Sequence, residues 1–311
     1  MTPAPSTPSP RSPRSAQSAQ SARSAQSARS PRSARGARAA KATAATHAGD
    51  AADPGDLTGR VYAVSGGARR IGREIVLALA RRGASIVLHV NSSLQEGRAF
   101  EKQLRRQKTP VVLVQGDLRE AATADAIVSA AAGEFGRLDG LVNNASIFHR
   151  TAEPELTAED LDAYFQVNTR APFLCTVAAA RYMRRQVRAG QQPEGRIVNM
   201  LCLSIHLPWS HYAPYCASKA ALHSLTISLA RLYAPDIYIN GVAPGHVLDP
   251  SDGHRTGRDL ALESGAKMGE GRQGRVADVV AAALFLLAPE RRISGRVIDV
   301  ALTPSEERHR G

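Results

Sequence analysis

From Leu57 to Val300 the chain alternates between short apolar runs of strand length and longer stretches with helical periodicity. The apolar runs are Arg60–Ser65, Ser85–Val90, Pro110–Gln115, Leu138–Asn143, Arg196–Met200, Ile237–Val242 and Arg296–Val300. The spacing between them predicts helices over Ile71–Arg82, Leu94–Gln107, Ala121–Phe135, Ala158–Arg188, His211–Tyr233 and Val276–Leu287. Pro172 divides the long fourth helix into two parts, because proline removes a donor from the helical ladder. Strands that are apolar throughout are buried on both faces, and a strand–helix–strand repeat builds a parallel sheet between two helical layers. The expected fold class is α/β: one doubly wound domain over residues 57–305, about seven parallel strands, with a short tail at 306–311.

The residues before this pattern are of another kind. Between Ser15 and Arg35, Ser-Ala-Gln and Ser-Ala-Arg triplets recur, and no Leu, Ile, Val or Phe precedes Leu57. Such a segment cannot bury enough surface to offset its ordering entropy, so residues 1–56 are expected to be disordered. Three roles stay open for it: an organelle transit peptide, a polyanion-binding arm, or none. The missing large apolar residues weigh against an amphipathic transit helix. The net charge is +12, but residues 1–49 hold seven Arg, one Lys and no acid. That segment contributes +8 and leaves only +4 elsewhere, so the folded part is not expected to bind nucleic acid. No apolar run is long enough to span a membrane. Cys175, Cys202 and Cys216 form no CxxC pair and no metal-like cluster with histidine, so no metal is expected and a reducing, cytoplasmic setting fits.

Chemistry enters at the first strand-to-helix corner. Ser65-Gly66-Gly67-Ala68-Arg69-Arg70-Ile71-Gly72 follows the first strand and opens the first helix. Glycines there permit a tight turn and let backbone N–H groups meet a pyrophosphate at the positive end of the helix dipole. At the end of the second strand an NAD-binding chain usually carries an acid for the ribose hydroxyls. Here stand Asn91, Ser92 and Ser93, with Arg69 and Arg70 in the neighbouring turn. Hydroxyls with guanidinium suit a 2′-phosphate, so the expected cofactor is NADP(H). The alternative is that these arginines cap a solvated surface.

A second constellation is Tyr215-Cys216-Ala217-Ser218-Lys219. A Tyr and a Lys four residues apart share one helix face. An ammonium one turn away favours the phenolate and is expected to lower the phenol's pKa from its usual value of ~10. Such a pair can exchange a proton with a carbonyl, hydroxyl or imine.

With these motifs in this order, the chain resembles a short-chain dehydrogenase/reductase, a family with the Rossmann fold, over Leu57 to about Val300. The resemblance assigns cofactor contacts to Gly66, Arg69, Arg70, Ile71, Gly72, Asn91, Ser92, Ser93, Asp117, Leu118, Asn144, Ala145 and Ser146, and also to Tyr215, Lys219, Pro244 and Gly245. Asp117 matches the adenine-binding acid. Asn143-Asn144-Ala145 matches a segment supporting the sheet and the adenine ribose, and Pro244-Gly245 the turn beside the nicotinamide. Tyr215 and Lys219 match the catalytic pair, and Asn168 the helix asparagine that holds a water in the proton relay.

Within the family the chain is most similar to the pteridine reductases, a group that includes bacterial dihydromonapterin reductases. Arg70 stands where most members have the middle glycine, and in that group such an Arg touches cofactor phosphate and pterin. Leu88-His89 also resembles that group. Asn144-Ala145-Ser146-Ile147-Phe148 resembles its NAS-x-F segment, whose aromatic stacks on the pterin opposite the nicotinamide. The resemblance thus implies substrate contacts from Arg70, Phe148, Cys202 and Tyr215, and hydride transfer from NADPH to a dihydropterin C=N bond or a carbonyl. It also implies a homo-oligomer, a dimer or homotetramer.

Two departures stand out. Cys202 occupies the position, thirteen residues before Tyr215, where the family has Ser and pteridine reductases usually Asp; Ser204, two residues on and on the same face if the strand geometry persists, is a candidate substitute. The last strand runs Asp299-Val300-Ala301-Leu302 in place of an acidic Gly-Gly ending. The segment from His246 to Gln273, with His246, Asp249 and His254, is the expected substrate lid. Two other readings remain: a short-chain reductase of ketones, quinones or sugar derivatives, and a non-catalytic NADP(H)-binding protein with a basic tail.

Overall fold

The computed structural model describes residues 55–151, 156–245, 247 and 274–300. The expected tail up to residue 54, the lid candidates His246, Asp249 and His254, and the segment 301–311 lie outside the described residues.

In chain order the elements are β1 (Val61–Val64), α1 (Arg70–Ala80), β2 (Ser85–Val90), α2 (Leu94–Arg106), β3 (Val111–Gln115), α3 (Ala121–Phe135) and β4 (Gly140–Asn143). The second half follows with α4 (Ala158–Phe165), α5 (Ala171–Arg188), β5 (Gly195–Met200), α6 (Ala213–Tyr233), β6 (Ile237–Pro244), α7 (Val276–Leu287) and β7 (Val297–Val300). The strands form one parallel seven-stranded sheet in the order β3-β2-β1-β4-β5-β6-β7. The winding direction reverses between β1 and β4. That leaves a crevice beyond the carboxyl ends of these two strands, where ligands bind in open α/β sheets.

Alternate strand residues feed two cores. Tyr62, Val64, Ile86 and Leu88 face one layer, with Ile75 and Leu79 of α1, Phe100 of α2 and Leu287 of α7. Val61, Ala63 and Val87 face the other, with Ile127 of α3, Met183 of α5 and Leu229 of α6. Burying each such side chain contributes roughly 1.5–3 kcal/mol, so both sheet faces are tied firmly to their helices.

Most predicted boundaries hold to within two residues, and the differences have local causes. β4 starts at Gly140 rather than Leu138: the Leu138 N–H is drawn away to the Gln186 side chain at 3.1 Å, and the buried Asp139 carboxylate accepts the Val61 N–H at 2.8 Å. α6 starts at Ala213 because Ser210–Tyr212 forms a separate 3₁₀ turn. The long helix breaks at Gln166–Arg170, a single π turn, and resumes as α5 with Pro172 in its first turn. In a regular helix the N–H at position 172 would bond the Asn168 carbonyl; proline has none.

Candidate active site

A cavity of about 690 Å³ follows the carboxyl edge of the sheet. One end is lined by Asn91, Ser92, Ser93, Asp117 and Leu118. The middle is lined by Gly66, Arg69, Arg70, Ile71, Gly72, Asn144, Ala145 and Ser146, and the far end by Phe148, Cys202, Tyr215, Lys219, Pro244 and Gly245. Among the described residues, the cofactor and substrate residues expected from the sequence line it, whereas Asn168 and the candidate substitute Ser204 do not.

The middle is a tight backbone cradle. Gly66 adopts φ +60°, and a Cβ on Gly72 would lie 2.5 Å from both Asn144 Nδ2 and Gly66 O. Ser65 Oγ accepts the N–H groups of Asn144 and Ala145, and Asn144 Nδ2 donates to Ser65 O and Gly66 O. The turn after β1 is thereby pinned to the end of β4. Arg70 holds φ +51°, a left-handed conformation that costs an L-residue roughly 1–2 kcal/mol. An Arg where glycine is usual thus keeps glycine's backbone shape.

This cradle passes a steric test for a pyrophosphate: no side chain rises from Gly66 or Gly72, and the amino terminus of α1 faces the turn. At the end lined by Asn91–Ser93 and Leu118, the Asp117 carboxyl is held below its usual range by hydrogen bonds from Arg119. Arg69 is ion-paired with Glu96 in the first turn of α2. The sequence reading offered Arg69, with Arg70, as a guanidinium for a 2′-phosphate; the structure gives it an acidic partner beside Ser92 and Ser93.

A buried polar chain supports the far end. Asn143 Nδ2 donates to Asn199 Oδ1 at 2.8 Å, Asn199 Nδ2 to Thr226 Oγ1 at 2.9 Å, and Thr226 Oγ1 to Leu222 O at 2.7 Å. It connects β4 and β5 to α6, the helix carrying Tyr215 and Lys219. Asn168 is fully buried. Its Oδ1 accepts from Ile147 N and Ser146 Oγ, and its Nδ2 donates to Ile147 O and Ser218 Oγ. Its side chain therefore clamps the Ser146–Ile147 segment to α6.

One expectation about the pair on α6 is corrected. Lys219 Nζ donates to Met200 O at 2.8 Å and lies 5.8 Å from the centre of the Tyr215 ring. Burial pushes the lysine down to about 8 and the Tyr215 phenol well above 10. Desolvation therefore outweighs the lysine's pull on the phenol. Cys202 packs in one cluster with Tyr215 and adds to the upward push on its phenol, so position 202 does meet the proton-bearing group.

Ser204 does not share that face. β5 ends at Met200 and Leu203–Ile205 is a 3₁₀ turn, so strand alternation fails; Ser204 is buried off the cavity, and among the described residues its hydroxyl has no hydrogen-bond partner.

The sequence reading named Phe148 but missed the rest of the aromatic wall. Trp209 lines the cavity with its ring nearly parallel to that of Tyr215, 11° apart at 6.3 Å. Phe148 stacks on Tyr212 at 4.8 Å and meets Tyr215 edge-on at 4.7 Å. The Tyr164 hydroxyl accepts from His149 N and donates to His149 O, which fixes the segment carrying Phe148. The available signal was a Trp and a Tyr crowded into the short stretch ahead of Tyr215. Among the described residues, no group of three or more His, Cys, Asp or Glu could hold a metal ion, and no helix is long and apolar enough to cross a membrane.

Comparison with known proteins agrees with this geometry. The family described as short chain dehydrogenase matches residues 60–256. A short-chain type dehydrogenase/reductase of Picea abies is 35% identical over 75% of this chain and 88% of its own length. Among solved structures, a short chain dehydrogenase from Burkholderia cenocepacia in complex with NADP superposes with a TM-score of 0.70 at 31% identity, covering 79% of this chain and 97% of that one. FolM alternative dihydrofolate reductase 1 from Brucella canis, complexed with NADP, gives 0.66 at 28% identity, covering 78% and 92%.

Proposed function

The chain belongs to the short-chain dehydrogenase family, and we propose that this oxidoreductase is an NADPH-dependent reductase of a dihydropterin or a similarly flat heteroaromatic C=N compound. The observation that carries the reading is the aromatic wall. Phe148 and Trp209 line the cavity beside Tyr215, where a planar ring gains contact that a flexible alcohol does not. The NADP complexes of two similar structures, together with Ser92, Ser93 and Arg70 and the lack of an acid at 91–93, support the phosphorylated cofactor.

A bound nicotinamide supplies the hydride. Tyr215 gives its phenolic proton to the substrate nitrogen or oxygen that gains the electron pair. Burial keeps that proton in place at neutral pH, so the residue stands ready as an acid. As the phenolate forms, the Lys219 ammonium on the same helix face stabilises it. Asn168 holds the Ser146–Ile147 segment against the helix that carries Tyr215 and Lys219, and so supports the proton donor from behind. Phe148 and Trp209 exclude bulk water from the reacting atoms.

A second reading rests on Cys202. Protonating a pterin nitrogen is aided by an acid at that position, whereas a ketone or quinone needs only the phenol, and a thiol is a weak donor. The test is NADPH oxidation measured against dihydropterins, dihydrofolate, quinones and ketones. The pterin reading expects the dihydropterins to give the highest kcat/KM and to be competed by methotrexate. A panel in which ketones or quinones lead, with no competition by methotrexate, refutes it.

A further inference from the structure

We propose that His89 is a positioning residue for the dinucleotide: its neutral imidazole joins the glycine turn after β1 to the end of β3 and holds the adenosine half of the cavity in shape. The proposal rests on the reading of this cavity as a dinucleotide site.

His89 is the penultimate residue of β2, 1% exposed, yet it borders the cavity. Both ring nitrogens are engaged. Nε2 lies 3.0 Å from Gly116 O, a group that can only accept, so Nε2 carries the proton and donates. Nδ1 is then the acceptor, and it receives the Gly66 N–H at 3.4 Å. The main chain repeats the connection, because His89 O accepts the Gly67 N–H at 3.1 Å. One residue thus bridges the carboxyl ends of β1, β2 and β3.

The two residues it bridges are the hinges of the pocket. Gly66 is in the left-handed region and supports the cradle, and a Cβ there would meet Ala145 Cα at 3.1 Å. Gly116 precedes Asp117, whose carbonyl is fixed by Thr123 Oγ1 at 2.7 Å. Without the imidazole, one part-buried donor and one part-buried acceptor lose their partner, and the turn and the Asp117 corner are free to separate. A protonated ring could not accept from Gly66. Burial opposes that proton, although the nearby Asp117 carboxylate favours it.

The test compares His89→Leu, which keeps bulk and removes both nitrogens, with His89→Gln, whose amide presents an acceptor and a donor at a similar separation. NADPH dissociation constants and steady-state kinetics are measured, with circular dichroism and thermal melts as checks on folding. The expected result for His89→Leu is a Kd and KM for NADPH raised about tenfold, the scale of losing the partner of a part-buried donor and acceptor. Its kcat at saturating NADPH and its substrate KM stay within about twofold of wild type, and His89→Gln recovers most of the lost affinity. If His89→Leu does not fold, His89→Phe is measured in its place with the same criteria. Unchanged NADPH affinity in the nitrogen-free variant, or no recovery in His89→Gln, overturns the proposal. Wild-type protein that binds neither NADPH nor NADH overturns the cofactor reading itself, which separates the two failures.

Discussion

Lys219 offers a stability measurement that is independent of any substrate. The residue is buried, and burial lowers its pKa from 10.5 to about 8. At 1.36 kcal/mol per unit, that drop corresponds to roughly 3 kcal/mol. The unfolded chain keeps the proton up to about pH 10.5, whereas the folded chain releases it near 8. Between those values the unfolded state binds more protons, so stability rises with pH across the window. Below pH 8 both states are protonated and the cost of burying the charge is constant. Lys219→Met has no titration there. Its lost hydrogen bond to Met200 O is an offset that does not vary with pH over the window. The stability of wild type relative to Lys219→Met should therefore improve by roughly 3 kcal/mol from pH 7 to pH 10.5. For a domain of this size that is a relative Tm gain of roughly 6–12 °C. The assay is thermal unfolding of both cofactor-free proteins at matched pH values. A difference that stays constant across the window refutes the burial argument.

Three further outcomes are expected. Ser92→Asp places a carboxylate at the adenosine end of the cavity and should reverse the preference for NADPH over NADH, measured as the ratio of kcat/KM values; equal use of both cofactors by wild type contradicts the 2′-phosphate reading. Phe148→Ala removes the ring that meets Tyr215 at 4.7 Å, and should weaken a dihydropterin by about 0.5–1.5 kcal/mol more than a small ketone, on the scale of one aromatic pair; equal losses for both would make Phe148 purely structural. Cys202→Ser puts a stronger donor against Tyr215 and should raise kcat, and Cys202→Asp should do so for pterins in particular; unchanged rates for both remove Cys202 from the proton step.

Much of this was legible before the coordinates. A fully apolar run bounded by turn residues announces its strand, and a longer apolar stretch its helix, so the strand Ser85–Val90 and the helix Val276–Leu287 match the structure residue for residue. The Tyr215–Lys219 spacing and the glycine turn each belong to one local element and could be placed from sequence. What escaped depends on atoms brought together from distant parts of the chain. Nothing local to Arg69 signals its pairing with Glu96. The Tyr215 phenol required knowledge of burial, because an adjacent cation and desolvation push it in opposite directions. Ser204 was misplaced because strand alternation was extended past Met200 into a 3₁₀ turn. Pro172 correctly announced a break, but the missing N–H acts four residues earlier, so the distortion falls at Gln166–Arg170.

The central claim is that Tyr215 is the acid of an NADPH-dependent reduction. The most direct measurement is Tyr215→Phe, followed by NADPH oxidation with the best substrate of the panel and by NADPH binding on the same preparation. The account predicts turnover reduced by at least about 10³-fold, the scale of a positioned proton donor with its electrostatic support, with a cofactor Kd within about threefold of wild type. A Tyr215→Phe protein that keeps most of its turnover contradicts the claim.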